Sequence, residues 1–169
     1  LIGEEFSLMS ITDGNGNVKH FPPIQDYKRL DEGDKGPNTG GMGCVIDRNN
    51  SLPFLNQEDI VICENINNII IDNLNKNGVG KKNKIGYRGI LYGSFIKTSK
   101  GIKVIEYNSR FGDPESINVL HILKTDLHNI FQSISNASLN LIDVEFYNKS
   151  TLCKYIVPSG YPDNPVKNE

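Results

Sequence analysis

The chain has 169 residues, with 18 Lys and Arg against 20 Asp and Glu, a net charge of -2, and 37% hydrophobic residues. Counting glycine, the apolar share is about 46%, ordinary for a folded soluble domain and too high for a disordered tail. No run reaches the roughly 20 apolar residues of a membrane span and no basic, apolar leader opens the chain, so the expectation is a soluble, cytoplasmic protein with no membrane partner. The densest basic run, Lys81 to Lys84, has no interleaved aromatics and sits in a net-acidic chain, which argues against nucleic acid. Cys44, Cys63 and Cys153 show neither C-x-x-C nor zinc-ligand spacing and read as reduced thiols.

In chain order, alternation from Glu4 to Thr12, then Asp13-Gly14-Asn15-Gly16-Asn17, then residues 18 to 21 predicts a hairpin closed by glycine turns. A helix is expected from Asn56 as N-cap, with Glu58 and Asp59 in its first turn, and with Ile60, Cys63, Ile66, Ile70 and Leu74 as its core stripe, stopping at Asn77-Gly78. Residues 87 to 97 and 102 to 108 flank Thr98-Ser99-Lys100-Gly101 as a second hairpin. Leu127, Ile130, Phe131 and Ile134 mark a further helix capped by Thr125 or Asp126, and residues 151 to 157 read as a last strand. The sum is an α+β fold, an antiparallel sheet with helices on one face. The chain starts in a strand without an initiator Met and ends in a Pro- and Gly-containing polar stretch. The expectation is a piece of a longer polypeptide, with residues 1–157 as one lobe and 158–169 as a linker or the start of another domain.

Two segments carry chemistry. From Asp26 to Gly43 the chain reads DYKRLDEGDKGPNTGGMG, with glycines that let backbone N–H groups turn toward an anion and Lys28 and Arg29 to supply charge. The spacing matches neither G-x-x-x-x-G-K-[ST] nor G-x-G-x-x-G, and a surface turn explains the segment equally well. The second segment, VIEYNSRFGDPE from Val104 to Glu115, places Glu106 and Asn108 on one face of a strand. A carboxylate and an amide oxygen are hard ligands suited to Mg²⁺, which completes its octahedron with phosphates and water. Arg110 follows, with a planar fork that fits a phosphoryl or carboxylate group. The plain alternative is a solvated strand face with a surface salt bridge.

Together, G-E-E-x-S at Gly3, Q-D-x-K-R-x-x-x-G-D-x-G-P-N-T-G-G-M-G from Gln25, G-x-L-Y-G from Gly89 and V-I-E-Y-N-x-R-F-G-D-P-E from Val104 resemble the phosphoribosylamine–glycine ligase (glycinamide ribonucleotide synthetase) family of the ATP-grasp superfamily. The resemblance runs in order from Gly3 to Pro162 and implies the second ATP-grasp lobe of an enzyme of purine biosynthesis. Such an enzyme joins glycine to 5-phosphoribosylamine with ATP and Mg²⁺ or Mn²⁺, through a glycyl phosphate. It further implies Glu106 and Asn108 as metal ligands, Arg110 as the catalytic residue facing the transferring phosphoryl group, and Glu4 or Glu5 beside the nucleotide ribose. Lys28, Arg29, Asp34, Asp113 and the loop Gly36, Pro37, Asn38, Thr39, Gly40, Gly41 and Gly43 would line the glycine and phosphoribosylamine side.

Tyr27 stands where the family usually has His, and Ser116-Ile117 where it usually has Thr-Gln. Residues 88 to 97 carry no Asp or Glu, which separates the chain from carboxylase-type relatives. The resemblance starts past the adenine hinge, so the rest of the parent polypeptide is an expected partner, and the isolated chain is expected to fold without being active. The other reading is a catalytically incomplete or degenerate ATP-grasp fragment that only binds or interacts. Retention of Glu106, Asn108 and Arg110 favours the ligase segment.

Overall fold

The computed structural model describes residues 1–77 and 86–167. The basic run Lys81 to Lys84 and the expected helix stop at Gly78 lie outside the described residues. Strand β1 (Glu4–Asp13) turns at Gly14 and Gly16, both with positive φ, into β2 (Val18–His20). The Asp13 carboxylate holds that turn by accepting from Asn15 N at 2.9 Å and Asn17 Nδ2 at 2.8 Å. Strand β5 (Arg88–Thr98) pairs with β1 along its length, and β6 (Gly101–Asn108) closes on β5, giving an antiparallel sheet of order β2-β1-β5-β6. Both expected hairpins are present.

The long middle segment is the first departure from the sequence reading. Residues Gly36 to Gly43 form no loop; they belong to β4 (Lys35–Ile46), which pairs with β3 (Gln25–Asp31) and with β7 (Thr151–Lys154) in a second antiparallel sheet of order β3-β4-β7. The reversal sits earlier, at Gly33 and Asp34, both with positive φ. Gly43 serves close approach: a Cβ there would lie 2.4 Å from Cys153 O. Register shifts at Tyr27/Arg29 and Arg29/Asp31 mark bulges that kink the hairpin. The expected final strand is shorter, Thr151–Lys154 in place of 151 to 157.

Helix α1 (Gln57–Asn77) begins as expected at Asn56, whose Oδ1 accepts from Asp59 N at 2.9 Å while Asp59 Oδ2 accepts from Asn56 N at 2.9 Å, a reciprocal cap. Helix α2 (Glu115–Ile122) was not expected. Helix α3 (Leu127–Ser135) is capped by Asp126, which accepts from His128 N and Asn129 N; Thr125 instead donates to Asp143 O. The first sheet is covered on both faces, not one, because β1 is buried from Phe6 to Asp13 and alternates two apolar sets. Phe6 and Leu8 pack with Phe95, Leu55, Ile60 and Cys63 of the α1 side. Met9 and Ile11 join Cys44, Ile46, Tyr92, Val119, Ile122 and Ile130, the core shared by α2, α3 and the second sheet. Mutual hydrogen bonds of Ser7 and Ile24, at 2.8 and 2.9 Å, link β1 to the start of β3 and so set one sheet against the other.

Candidate active site

Between the two sheets opens a cleft of about 1090 Å³, lined by the start of β1, by β3 and its turn, and by parts of β4 and β7, with Ile96 and Ile105 at one side. Of the residues expected at the site, Glu4, Glu5, Lys28, Arg29, Asp34, Asn38 and Gly43 line it. Gln25 Nε2 donates across the cleft to Glu4 Oε2 at 3.2 Å. Arg29 Nη1 donates to Gly36 O at 3.0 Å, and Thr39 Oγ1 donates to Lys28 O at 2.8 Å while accepting from Gly41 N at 3.1 Å. These backbone and hydroxyl groups of the glycine segment therefore bind the hairpin itself, because they lie in a paired strand. Gly36, Pro37, Thr39, Gly40 and Gly41 do not line the cleft.

Asp113 is held from a different direction. The Tyr155 hydroxyl donates to Asp113 Oδ1, and that bond, with burial second, pushes the Tyr155 hydroxyl up to about 12. Gly41 makes room for the same loop: at φ +138 a Cβ there would stand 2.7 Å from Pro114 Cδ and 3.3 Å from Asp113 O.

On β6, Glu106 and Asn108 lie side by side as their spacing predicts, with Asn108 Nδ2 donating to Glu106 Oε1 at 3.1 Å. Their strand partners are Ser94 and Tyr92 of β5, so the pair sits on the face that Tyr92 occupies. Between them, Tyr107 points the other way, and its hydroxyl donates to Asn67 Oδ1 of α1 at 2.9 Å. Gly93 permits this, since a Cβ there would come 2.9 Å from Asn67 Oδ1. The donor set of Glu106 and Asn108 fits a hard divalent cation that takes its remaining ligands from phosphates and water. Among the described residues no group of three or more His, Cys, Asp or Glu gathers into a self-sufficient metal cage. Arg110 stands exposed just past the strand, its Nη1 donating to Phe111 O at 2.8 Å.

Three residues that sequence reasoning did not assign complete the picture. Glu115, the first residue of α2, is 2% exposed; its Oε1 accepts from the Tyr92 hydroxyl at 2.5 Å, and its Oε2 is buried with no hydrogen-bond partner. Asp26 lines the cleft with a side chain 5% exposed, and Lys28 Nζ stands 3.7 Å away. Burial raises the Asp26 carboxyl to about 6 against the pull of Lys28, with Glu115 and Glu5 raising it further. Burial chiefly, with Asp26 and Glu115 adding, holds Tyr92 protonated far above the usual phenol range. The Glu115, Asn118, Val119, Ile122 spacing is a helical stripe that could have revealed α2. Nothing local marks Asp26 as the partner of a carboxylate so far along the chain.

Two antiparallel sheets enclose a cleft, with Glu106 and Asn108 on the last strand of the first sheet and Arg110 just past its end, and comparison with known proteins places this arrangement among ATP-grasp lobes. Residues 1–116 match the family model for the phosphoribosylglycinamide synthetase, ATP-grasp (A) domain, and the chain belongs to that family. It is 47% identical over 167 residues to the phosphoribosylamine–glycine ligase of Methanosarcina barkeri, covering 99% of this chain and 37% of that protein. It is 48% identical over 169 residues to the same ligase of Methanocaldococcus jannaschii, covering 100% of this chain and 36% of that protein. The crystal structure of phosphoribosylamine–glycine ligase from Thermotoga maritima matches with a TM-score of 0.73 at 29% identity, covering 98% of this chain and 39% of that one. The chain thus spans somewhat over a third of the length of these relatives.

Proposed function

We propose that this chain is the metal- and phosphate-handling lobe of a phosphoribosylamine–glycine ligase, which forms glycinamide ribonucleotide from glycine, 5-phosphoribosylamine and ATP. The observation that carries the reading is the contact of Glu106 with Asn108 on β6, with Arg110 following, in a chain so similar to ligases of that name. Glu106 and Asn108 would hold Mg²⁺ or Mn²⁺, which supplies charge neutralisation at the ATP phosphates. Arg110 is exposed and its remaining guanidinium N–H groups are free to meet the phosphoryl group as it moves to the glycine carboxylate. Glu4 and Glu5 at the cleft edge would meet the nucleotide ribose, and Lys28, Arg29, Asp34 and Asn38 the other two substrates. Asp113, fixed by Tyr155, belongs to the acceptor side of the same site. In the reaction the glycine carboxylate takes the phosphoryl group and ADP leaves; the phosphoribosylamine nitrogen then attacks the acyl carbon, phosphate departs and the amine gives up a proton.

The test uses the whole polypeptide that carries this chain, in the form Glu106→Gln. Turnover of ATP, glycine and phosphoribosylamine should fall by about a hundredfold or more, since charge neutralisation of a transferring phosphoryl group is of that order. The unfolding midpoint should stay unchanged, because Glu106 is exposed. Unaltered turnover and unaltered metal dependence would remove Glu106 from the metal site.

A further inference from the structure

Strand pairing brings together two thiols that stand over a hundred residues apart in the chain. Cys44 of β4 and Cys153 of β7 are direct register partners, so both side chains leave the second sheet on the same face. That face meets the core shared with α2 and α3, in which Cys44 is fully buried and against which Cys153, half-buried, packs. Cys63 belongs to the other core, on the α1 side of the first sheet. All three are free thiols.

The spacing suits a bond between Cys44 and Cys153. Tyr155 N donates to Met42 O at 2.9 Å. Two residues along each strand, Cys44 and Cys153 therefore form a hydrogen-bonded pair, with Cα atoms about 5.5 Å apart. Disulfides are commonest at Cα separations of about 5.5 to 6 Å, with Cβ atoms about 3.8 Å apart, whereas opposed residues of a ladder hold their Cβ atoms about 4.5 to 5.5 Å apart. Closing the bond draws the strands together by about 1 Å at this pair. Strand β7 has the freedom for that, being four residues long and paired on one side only, at the edge of the β3-β4-β7 sheet.

The two sulfurs differ in access, and that orders the chemistry. Cys153 lines the cleft, whereas Cys44 does not. Burial, with the charges of Glu115 and Cys153 behind it, holds the Cys44 thiol protonated far above the usual range. Cys153 is thus the thiol that meets an external oxidant, and Cys44 is the one that resolves the product.

We propose that Cys44 and Cys153 are a reversible disulfide site, closed by thiol–disulfide exchange with a low-molecular-weight disulfide of the glutathione class. Cys153 gives up its proton and attacks one sulfur of oxidised glutathione; the S–S bond of the oxidant breaks, and the released glutathione takes that proton. The Cys44 sulfur then attacks Cys153 Sγ, the bond from Cys153 to the second glutathione breaks, and the Cys44 proton leaves with it. The two cysteines lose two electrons and two protons, and the oxidant becomes two thiols. The new bond ties β7 covalently to β4, two residues before Tyr155, whose hydroxyl holds Asp113.

The experiment exposes the whole polypeptide that carries this chain to oxidised glutathione under native conditions, alkylates the remaining thiols and maps the peptides by mass spectrometry without reduction. A peptide linking Cys44 to Cys153 is expected, with both thiols recovered after dithiothreitol. Cys44→Ala should stop at glutathione bound to Cys153, and Cys153→Ala should leave Cys44 a free thiol, so the two variants read the order of attack. Should either variant fail to fold, the linked peptide of the unmodified protein decides. Full alkylation of both cysteines after the oxidant, glutathione retained on Cys153 of the unmodified protein, Cys153 linked to a different cysteine, or a Cys44–Cys153 link that forms only in denaturant would each overturn the inference.

Discussion

Tyr107→Phe removes one oxygen from the contact between α1 and the strand that carries Glu106 and Asn108, and its cost can be worked from the contacts. The Tyr107 hydroxyl donates to Asn67 Oδ1 at 2.9 Å, and Asn67, fully buried, spends its amide hydrogens on Leu8 O at 3.1 Å and Ser10 Oγ at 2.8 Å. Burial, and Cys63 after it, pushes the Tyr107 hydroxyl up to about 12, so it remains a donor at every ordinary pH. The ring itself packs edge-on against Phe95 at 6.4 Å, a contact that Phe retains. Apolar packing therefore changes little, and the loss is one hydrogen bond plus an orphaned buried acceptor, about 2 kcal/mol. In urea, with a slope of about 2 kcal/mol per molar, the midpoint should fall by about 1 M with the slope unchanged. A double-mutant cycle with Asn67→Ala should return about 1 kcal/mol or more of coupling. A midpoint shift under about 0.2 M, or a coupling indistinguishable from zero, would show that the amide and hydroxyl do not support one another and that β6 is held by its ladder to β5 alone.

In the whole polypeptide, Arg110→Lys should lower turnover by about a hundredfold while leaving the glycine KM within about threefold, because charge survives but the planar fork does not. A raised KM at normal turnover would make Arg110 a substrate-binding residue. Gly41→Ala should cost about 2 kcal/mol in thermal or urea unfolding, since φ +138 disfavours a side chain and the new Cβ would stand 2.7 Å from Pro114 Cδ. Wild-type stability would mean that the Asp113-Pro114 loop moves aside freely. Burial lowers the His20 imidazole from 6.5 to about 4, opposed by a hydrogen bond with the Asn68 side chain, and Ser10 Oγ lies 2.8 Å from His20 Nδ1. The unfolded chain binds the extra proton between those two values, so this contribution is complete above about pH 6.5 and is lost progressively as pH falls toward 4, by about 3 kcal/mol at most. His20→Gln should flatten that part of the stability profile, and an unchanged profile would place the acid-sensitive group elsewhere.

What could be read in advance was what short-range chemistry encodes. The Asp13 to Asn17 turn, the Asn56–Asp59 cap and the Asp126 cap each involve residues within four positions of one another, and each is present. The β3–β4 hairpin was missed because Gly36 to Gly43 has the composition of a loop; its extended form comes with its pairing to β3, at Arg29↔Asn38 and Tyr27↔Gly43, and β7, over a hundred residues later, joins only from Gly43 onward. The same division holds in the site. Glu106 and Asn108 were legible because a strand's period of two is local, whereas Asp26 meets the charge of Glu115 only through the tertiary arrangement of β3 and α2. The one-face placement of the helices failed for a related reason. Alternation in β1 shows Ser7, Met9 and Ile11 opposite Phe6 and Leu8, and since both sets are buried, a cover on each face was required.

That doubly covered sheet explains how Glu106 and Asn108 can face outward from a strand whose other side is fixed in the core. Along β6 the side chains alternate: Tyr107 enters the α1 side and is tied to Asn67, while Glu106 and Asn108 emerge on the other. Along β5 the roles are complementary, with Gly93 making room for Asn67 on the first face and Tyr92 reaching Glu115 on the second. The G-x-L-Y-G and V-I-E-Y-N motifs are thus two sides of one arrangement, in which core residues set the strand and their immediate neighbours present the chemistry. Substitutions at Tyr107, Gly93 or Asn67 should register first in unfolding, and substitutions at Glu106, Asn108 or Arg110 first in turnover. Tyr92 connects the two, because it is a core residue bonded to the buried Glu115 and also the strand partner of Asn108.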